Sequence, residues 1–309
     1  MTTTSPKPFS ELVALPVNKA KLLNNTRCPY CAIELDGRSR TKEHVIGRRF
    51  VPKGKLNGQW NLILYACEPC NSRKANLEDD ISAITLQPDM WGVSHHGENV
   101  VIEEARRKAL NSLSRRTKRR VGDSHEQINV EAPVFPGLTA KFNFTAPPQI
   151  DQERGFELAR LQMLGLYYMQ TYKVEERRGH CWPGGFHPLK FVTQRDWGNV
   201  TMRAFMKEIH AWDLRLHLVT ADGFFKAMTR LHPAGDLWSW AVEWNYSTRL
   251  VGFFGDRERA EAIVRTWPAE TRKVIFDRPG ESLHYSTEIP LRDDDDTLFD
   301  PGVVEAHSR

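Results

Sequence analysis

Two Cys-x-x-Cys pairs constrain this chain more than any other feature. Cys28-Pro-Tyr-Cys31 and Cys67-Glu-Pro-Cys70 have thirty-five residues between them, and the chain carries only five cysteines. Each such turn presents two thiolates to one ion, and two turns complete the tetrahedral set that zinc prefers. Whatever fold this segment takes must return residues 67–70 to residues 28–31. Coincidence or a redox dithiol would explain one pair; two pairs with no other cysteine near them point to metal. Four thiolates fill zinc's coordination, so this spacing implies an ion that holds structure and has no open position for water.

The residues between and just after the pairs carry different chemistry. Residues 40–50 read Arg-Thr-Lys-Glu-His-Val-Ile-Gly-Arg-Arg-Phe, which sets Glu43 beside His44. Asn61 then precedes a strand-like run over 62–66, and Asn71 follows the second cysteine pair directly. In this order, Cys-x-x-Cys, Glu-His-Val-Ile, an Asn before a strand and Cys-x-x-Cys-Asn-x-x-Lys, the segment resembles the zinc-containing HNH endonucleases, the ββα-metal nucleases. The resemblance covers residues 27–80 only. It implies an N-terminal ββα-metal module with a four-cysteine zinc site inside an α+β protein. By the same resemblance His44 is the general base, Glu43 and Asn71 are the protein ligands of a catalytic Mg²⁺ or Mn²⁺, and Asn61 ties down the loop between the strands. Gly47 is a departure, since many members have proline there; it leaves the path of 47–60 open.

Elementary chemistry agrees with those roles. Phosphodiester hydrolysis needs an activated water and positive charge near the scissile phosphate and leaving oxygen. A histidine accepts a proton at neutral pH. A hard divalent ion takes one or two oxygen ligands from protein and leaves the rest to water and phosphate. Each residue also has a plainer reading. His44 could be a packed core histidine, Asn71 a helix N-cap, and Asn61 a turn residue. Lys42, Arg48, Arg49 and Lys74 are candidate nucleic-acid contacts, with Lys74 otherwise on a solvated helix face.

Outside this segment the signals are coarser. The chain has 309 residues, 40% hydrophobic and 27% charged, with a formal charge of +4, which excludes a generally basic nucleic-acid coat. Positive charge is concentrated at 106–120, read as the basic face of a helix over 100–120, and negative charge at Asp293–Asp296. Residues 1–20 read as a lead-in and 21–120 as the nuclease module. Residues 121–150, rich in glycine and proline, read as a linker with one strand near 138–144, and 151–309 as a separate α+β domain. That domain opens with a helix apolar on most sides and continues as a strand meander. Trp238, Trp240 and Trp244 there suit one face of a core strand better than base stacking. His95-His96 lacks partners at ligand spacing, and His180, Cys181 and His187 fit a loop better than a metal site. No apolar run suits a bilayer span or a secretory leader, so a cytoplasmic protein is expected.

The expected function is therefore DNA hydrolysis, most simply a nick, because one such site cuts one strand per encounter. The C-terminal part would target, sense or self-associate, with protein partners as a further possibility. Nucleases joined to a second domain are associated with prokaryotic phage defence and genome conflict, which is a property of the family and not of these residues. The rival expectation is a non-catalytic, zinc-stabilised DNA-binding or ligand-sensing protein with a degenerate site.

Overall fold

Residues 19–89, 92, 97–135, 138–180, 182, 184–270, 273–278, 281–285 and 287–302 are described by a computed structural model. The first sheet forms around β3 (Leu62–Cys67), where Leu62, Leu64 and Ala66 are buried and the residues between them half-buried. That alternation is what a strand with one face on a core requires. A short β1 (Lys21–Leu22) joins it in parallel, and β2 (Arg40–His44) joins it antiparallel, with Glu43 opposite Leu64 and His44 opposite Ile63.

Helix α1 (Glu68–Thr85) follows β3 with no loop, and Pro69 lies in its first turn, where a missing N–H costs nothing. Its N-cap is Cys67. Asn71 therefore lies inside the helix and does not cap it. Two antiparallel strands and the helix after them thus hold Lys42, Glu43, His44, Cys67, Cys70, Asn71 and Lys74, while Cys28 and Cys31 precede them and Arg48, Arg49 and Asn61 lie on the connection between the strands.

Helix α2 (Asn99–Asn111) is shorter than the basic run suggested. At Ser112 the chain leaves the helix, because the Ser112 hydroxyl bonds Asp79 and the Arg115 N–H bonds Asp80 of α1. Residues 126–146 form an antiparallel hairpin of β4 (Glu126–Phe135) and β5 (Leu138–Ala146), where a linker with one strand was expected. The register shifts between Pro133 and Phe135, so the proline sits at an irregularity, where a ladder tolerates its missing donor.

The remaining elements build a five-stranded antiparallel sheet and its covering helices. After α3 (Gln152–Gln170), capped by the Asp151 carboxylate, come β6 (Gly185–Thr193), α4 (Val200–Ile209), β7 (Asp213–Thr220), β8 (Phe225–Leu231), β9 (Leu237–Trp244) and β10 (Thr248–Gly255). The strand order is β6-β10-β9-β8-β7. Asp256 caps α5 (Arg257–Arg265), and β11 (Lys273–Arg278) pairs with β12 (Glu281–Tyr285) as a separate hairpin. The fold is α+β, and no described helix is long and apolar enough to cross a membrane.

The division at residue 150 exists in the chain but not in the packing. One apolar cluster contains Val45, Phe50, Leu62 and Leu64 from the front, Leu158 and Leu164 from α3, and Trp238, Trp240 and Trp244 from the sheet. The tryptophans are 4% exposed or less, which removes the base-stacking alternative. Phe50 meets Trp244 edge-on at 5.4 Å. Asn245 donates to the Phe50 carbonyl and to the Thr85 hydroxyl, and Ser247 to the Thr85 carbonyl. A chain cut after residue 125 would open this core to water. It should be insoluble or molten, which near-UV circular dichroism and gel filtration would check; a cooperative melt would refute the shared core.

Candidate metal centre and active-site cleft

The four cysteines meet. Cys28 and Cys31 lie in a turn closed by hydrogen bonds from the Ala32 N–H to Cys28 and from the Cys28 N–H to Ile33, while Cys67 ends β3 and Cys70 sits in the first turn of α1. All four sulfurs lie within 4.8 Å of one another, with Cys31 and Cys67 at 3.6 Å. Tetrahedral ligands at zinc's usual ~2.3 Å would be about 3.8 Å apart, so the cluster has the size for such an ion. Burial pushes the Cys28 thiol up to about 11 and Cys70 higher still. A divalent cation among the sulfurs offsets that cost and favours thiolates. The cluster could hold a metal ion such as zinc.

Beside it lies a cleft of about 1470 Å³ lined by His44, Asn61, Asn71 and Glu43. His44 ends β2 with its imidazole half-buried. Burial, and then the charges of Arg48, Lys74 and Lys42, hold its pKa below the ordinary value. Its Nε2 accepts a hydrogen bond from Arg48 Nε at 3.1 Å, so the ring is neutral with Nε2 as the basic nitrogen. Asn61 bridges the turn after His44: Nδ2 donates to the Ile46 carbonyl at 2.8 Å, and Oδ1 accepts from the Ile46 N–H at 3.3 Å. Asn71 donates through Nδ2 to the Thr41 hydroxyl at 2.9 Å and the Lys42 carbonyl at 3.4 Å. Its Oδ1 has no hydrogen bond among the described residues.

Glu43 faces away from His44, as neighbours on a strand do, and is 5% exposed. Its Oε1 takes the Tyr30 hydroxyl at 3.2 Å and the Lys74 ammonium at 2.7 Å. No hydrogen bond reaches Oε2 among the described residues. Lys74 itself departs from both sequence readings, being neither solvated nor able to reach a phosphate. It is fully buried, pairs with Glu43 and with Glu78 at 2.5 Å, and donates to the His44 carbonyl at 2.9 Å. Its neighbours drive the reversal, since two carboxylates and a carbonyl inside the protein draw the ammonium in.

Lys42, Arg48 and Arg49 line the same cleft, so Lys74 is the one candidate phosphate contact withdrawn from its lining. From the basic run only Arg107 and Lys108 reach it. Lys108 donates to the Arg49 carbonyl, and burial lowers its pKa to about 8. Sequence reasoning missed Glu78 and Tyr30. The i, i+4 spacing of Lys74 and Glu78 was a signal for Glu78; nothing local marked Tyr30. His187 bonds the Gly255 carbonyl and joins no ligand cluster among the described residues, while Cys181 and His95-His96 lie outside them. Compared with known proteins, the chain matches no family model, no curated protein and no solved structure.

Proposed function

We propose that this chain is a metal-dependent, HNH-type endonuclease that hydrolyses DNA phosphodiester bonds, with a structural zinc held by Cys28, Cys31, Cys67 and Cys70. The observation that carries the reading is the meeting, in one cleft beside the cysteine cluster, of a neutral histidine and two unbonded oxygen ligands. The free Oε2 of Glu43 and the free Oδ1 of Asn71 fit a hard divalent ion, Mg²⁺ or Mn²⁺. When bound, such an ion supplies positive charge at the scissile phosphate and the leaving oxygen.

The chain's own residues do the rest. His44 takes the proton of the attacking water at Nε2. Arg48 must first leave that nitrogen, and a phosphate, as a charge-assisted bidentate acceptor, is the ligand that draws it away. Lys42 and Arg49 hold the backbone on either side, and Asn61 fixes the turn that aims the imidazole. Cys70, with Cys28, Cys31 and Cys67, would hold the zinc, and that tie would keep the neighbouring Asn71 against β2.

The reading is tested on supercoiled plasmid with Mg²⁺ or Mn²⁺ and with EDTA. Ion-dependent conversion to open circles is expected. The ion pair of Glu43 with Lys74 favours the rival reading, a DNA-binding protein with a degenerate site. Gel-shift binding without ion-dependent cleavage would establish that rival. A phage-defence or genome-conflict role in a prokaryotic cytoplasm, with the C-terminal part as the sensor, is the biological context we propose.

His44 also predicts a pH profile. The neutral imidazole is the active form, and its lowered pKa keeps it neutral further into acid. The acid limb of kcat/KM should therefore fall below pH ~6.5, and Arg48→Ala should move it upward by removing a nearby charge. A limb at or above that value, unmoved by Arg48→Ala, would count against His44 as the base.

A further inference from the structure

We propose that Glu78 is a positioning residue for the catalytic ion: it shares the charge of Lys74, leaves Glu43 free to hold a divalent cation, and fixes the turn at Gly47. This rests on the nuclease reading above. Without Glu78, the buried ammonium of Lys74 would be a full counter-ion for Glu43, and a second cation would have little to gain there. With it, two carboxylates face one ammonium, and the cluster's formal charge is negative beside the free Oε2 of Glu43. Both carboxylates meet the same Nζ through their Oε1 atoms, at 2.7 and 2.5 Å.

Two further observations show that the backbone is shaped for Glu78. The Gly47 N–H donates to its Oε1 at 3.1 Å. A Cβ at residue 47 would stand 2.2 Å from Oε2 and 2.7 Å from the carboxyl carbon, far inside contact distance. Any side chain at residue 47 would therefore push the carboxylate aside, and proline would also remove the donor. Gly47 is not among the residues of positive φ, so conformational freedom is not its role. The carboxylate thus ties the turn after His44 to α1, and Lys74 ties the His44 carbonyl to the same helix. One charge cluster sets both the ligand and the base.

The probe is manganese(II) chloride, titrated into the zinc-loaded full chain and followed by the electron paramagnetic resonance signal of free Mn²⁺. Glu78→Gln keeps the shape and an acceptor for Gly47 but removes the charge. It should weaken Mn²⁺ binding about tenfold while zinc content stays unchanged. Gly47→Ala, which displaces the carboxylate, should weaken it several-fold and serves if Glu78→Gln does not fold. Lys74→Met, where it folds, should change binding in the opposite direction. A merely structural Glu78 would lower the melting temperature and leave Mn²⁺ affinity as in wild type, which overturns the inference while the nuclease reading stands. A wild-type chain that binds no Mn²⁺ overturns both.

Discussion

His44→Ala should slow plasmid cleavage by about 10²–10⁴, the usual contribution of a positioned general base. The fold should not change. The imidazole's one side-chain hydrogen bond among the described residues is to the exposed Arg48, and the bond to Lys74 uses the backbone carbonyl, which alanine retains. Register with Ile63 is likewise a backbone property. Zinc content, circular dichroism and gel-shift binding in Ca²⁺ would confirm an intact protein. Equal cleavage by the variant and the wild type would remove His44 from the mechanism.

Cys28→Ser should unfold the protein. Structural zinc contributes roughly 10–16 kcal/mol of apparent binding free energy in small domains, against a total stability of about 5–15 kcal/mol for ordinary ones. Cys28 is fully buried within the largest apolar cluster, so its loss strikes the ion and the core together. Mass spectrometry should find one zinc per wild-type chain purified without chelator and none in the variant, whose expression should turn insoluble. Asn71→Ala is the matched control one residue beyond the ligands; it should keep zinc and lose cleavage. Native protein without zinc would refute the metal centre, and a soluble Cys28→Ser chain with an unchanged melt would refute its structural role.

Glu43, His44, Asn61 and Asn71 could be picked out of the cleft's lining from the sequence because each sits at a fixed offset from a cysteine or in or beside a strand-like run. Lys74 was misread although a signal existed. It shares the helical spacing of Leu77, Ile81 and Ile84, all on the buried side of α1, and a cation on that stripe needs buried counter-ions. Its partner Glu43 lies thirty-one residues away, and only the fold pairs them. Gly47 was noticed as a departure, but its reason is a carboxylate on another element, which no local pattern records. The hairpin of β4 and β5 was hidden by proline, which ordinarily ends a strand, whereas Pro133 flanks a register shift in β4. The part from residue 151, expected as a separate domain, shares one apolar cluster with the front of the chain. A helix apolar on most sides needs a partner on each of them, so α3 already implied two layers in contact.

That contact has a mechanical consequence. A Cβ on Gly165 of α3 would lie 2.6 Å from a methyl of Val45, the residue after the proposed base. On its other side α3 is held by the sheet: Tyr167 meets Trp238 and Phe254 edge-on, and Gln162 accepts from the Trp244 indole. Packed interiors deform little, so a push on the sheet is not absorbed along the way. The helix works as a push-rod, and Gly165, one of two glycines in its length, marks where the rod bears just beyond the strand that carries His44. A methyl added there, in Gly165→Ala, would shift the resting position of that strand from the far side of the molecule, without touching any group that faces the cleft.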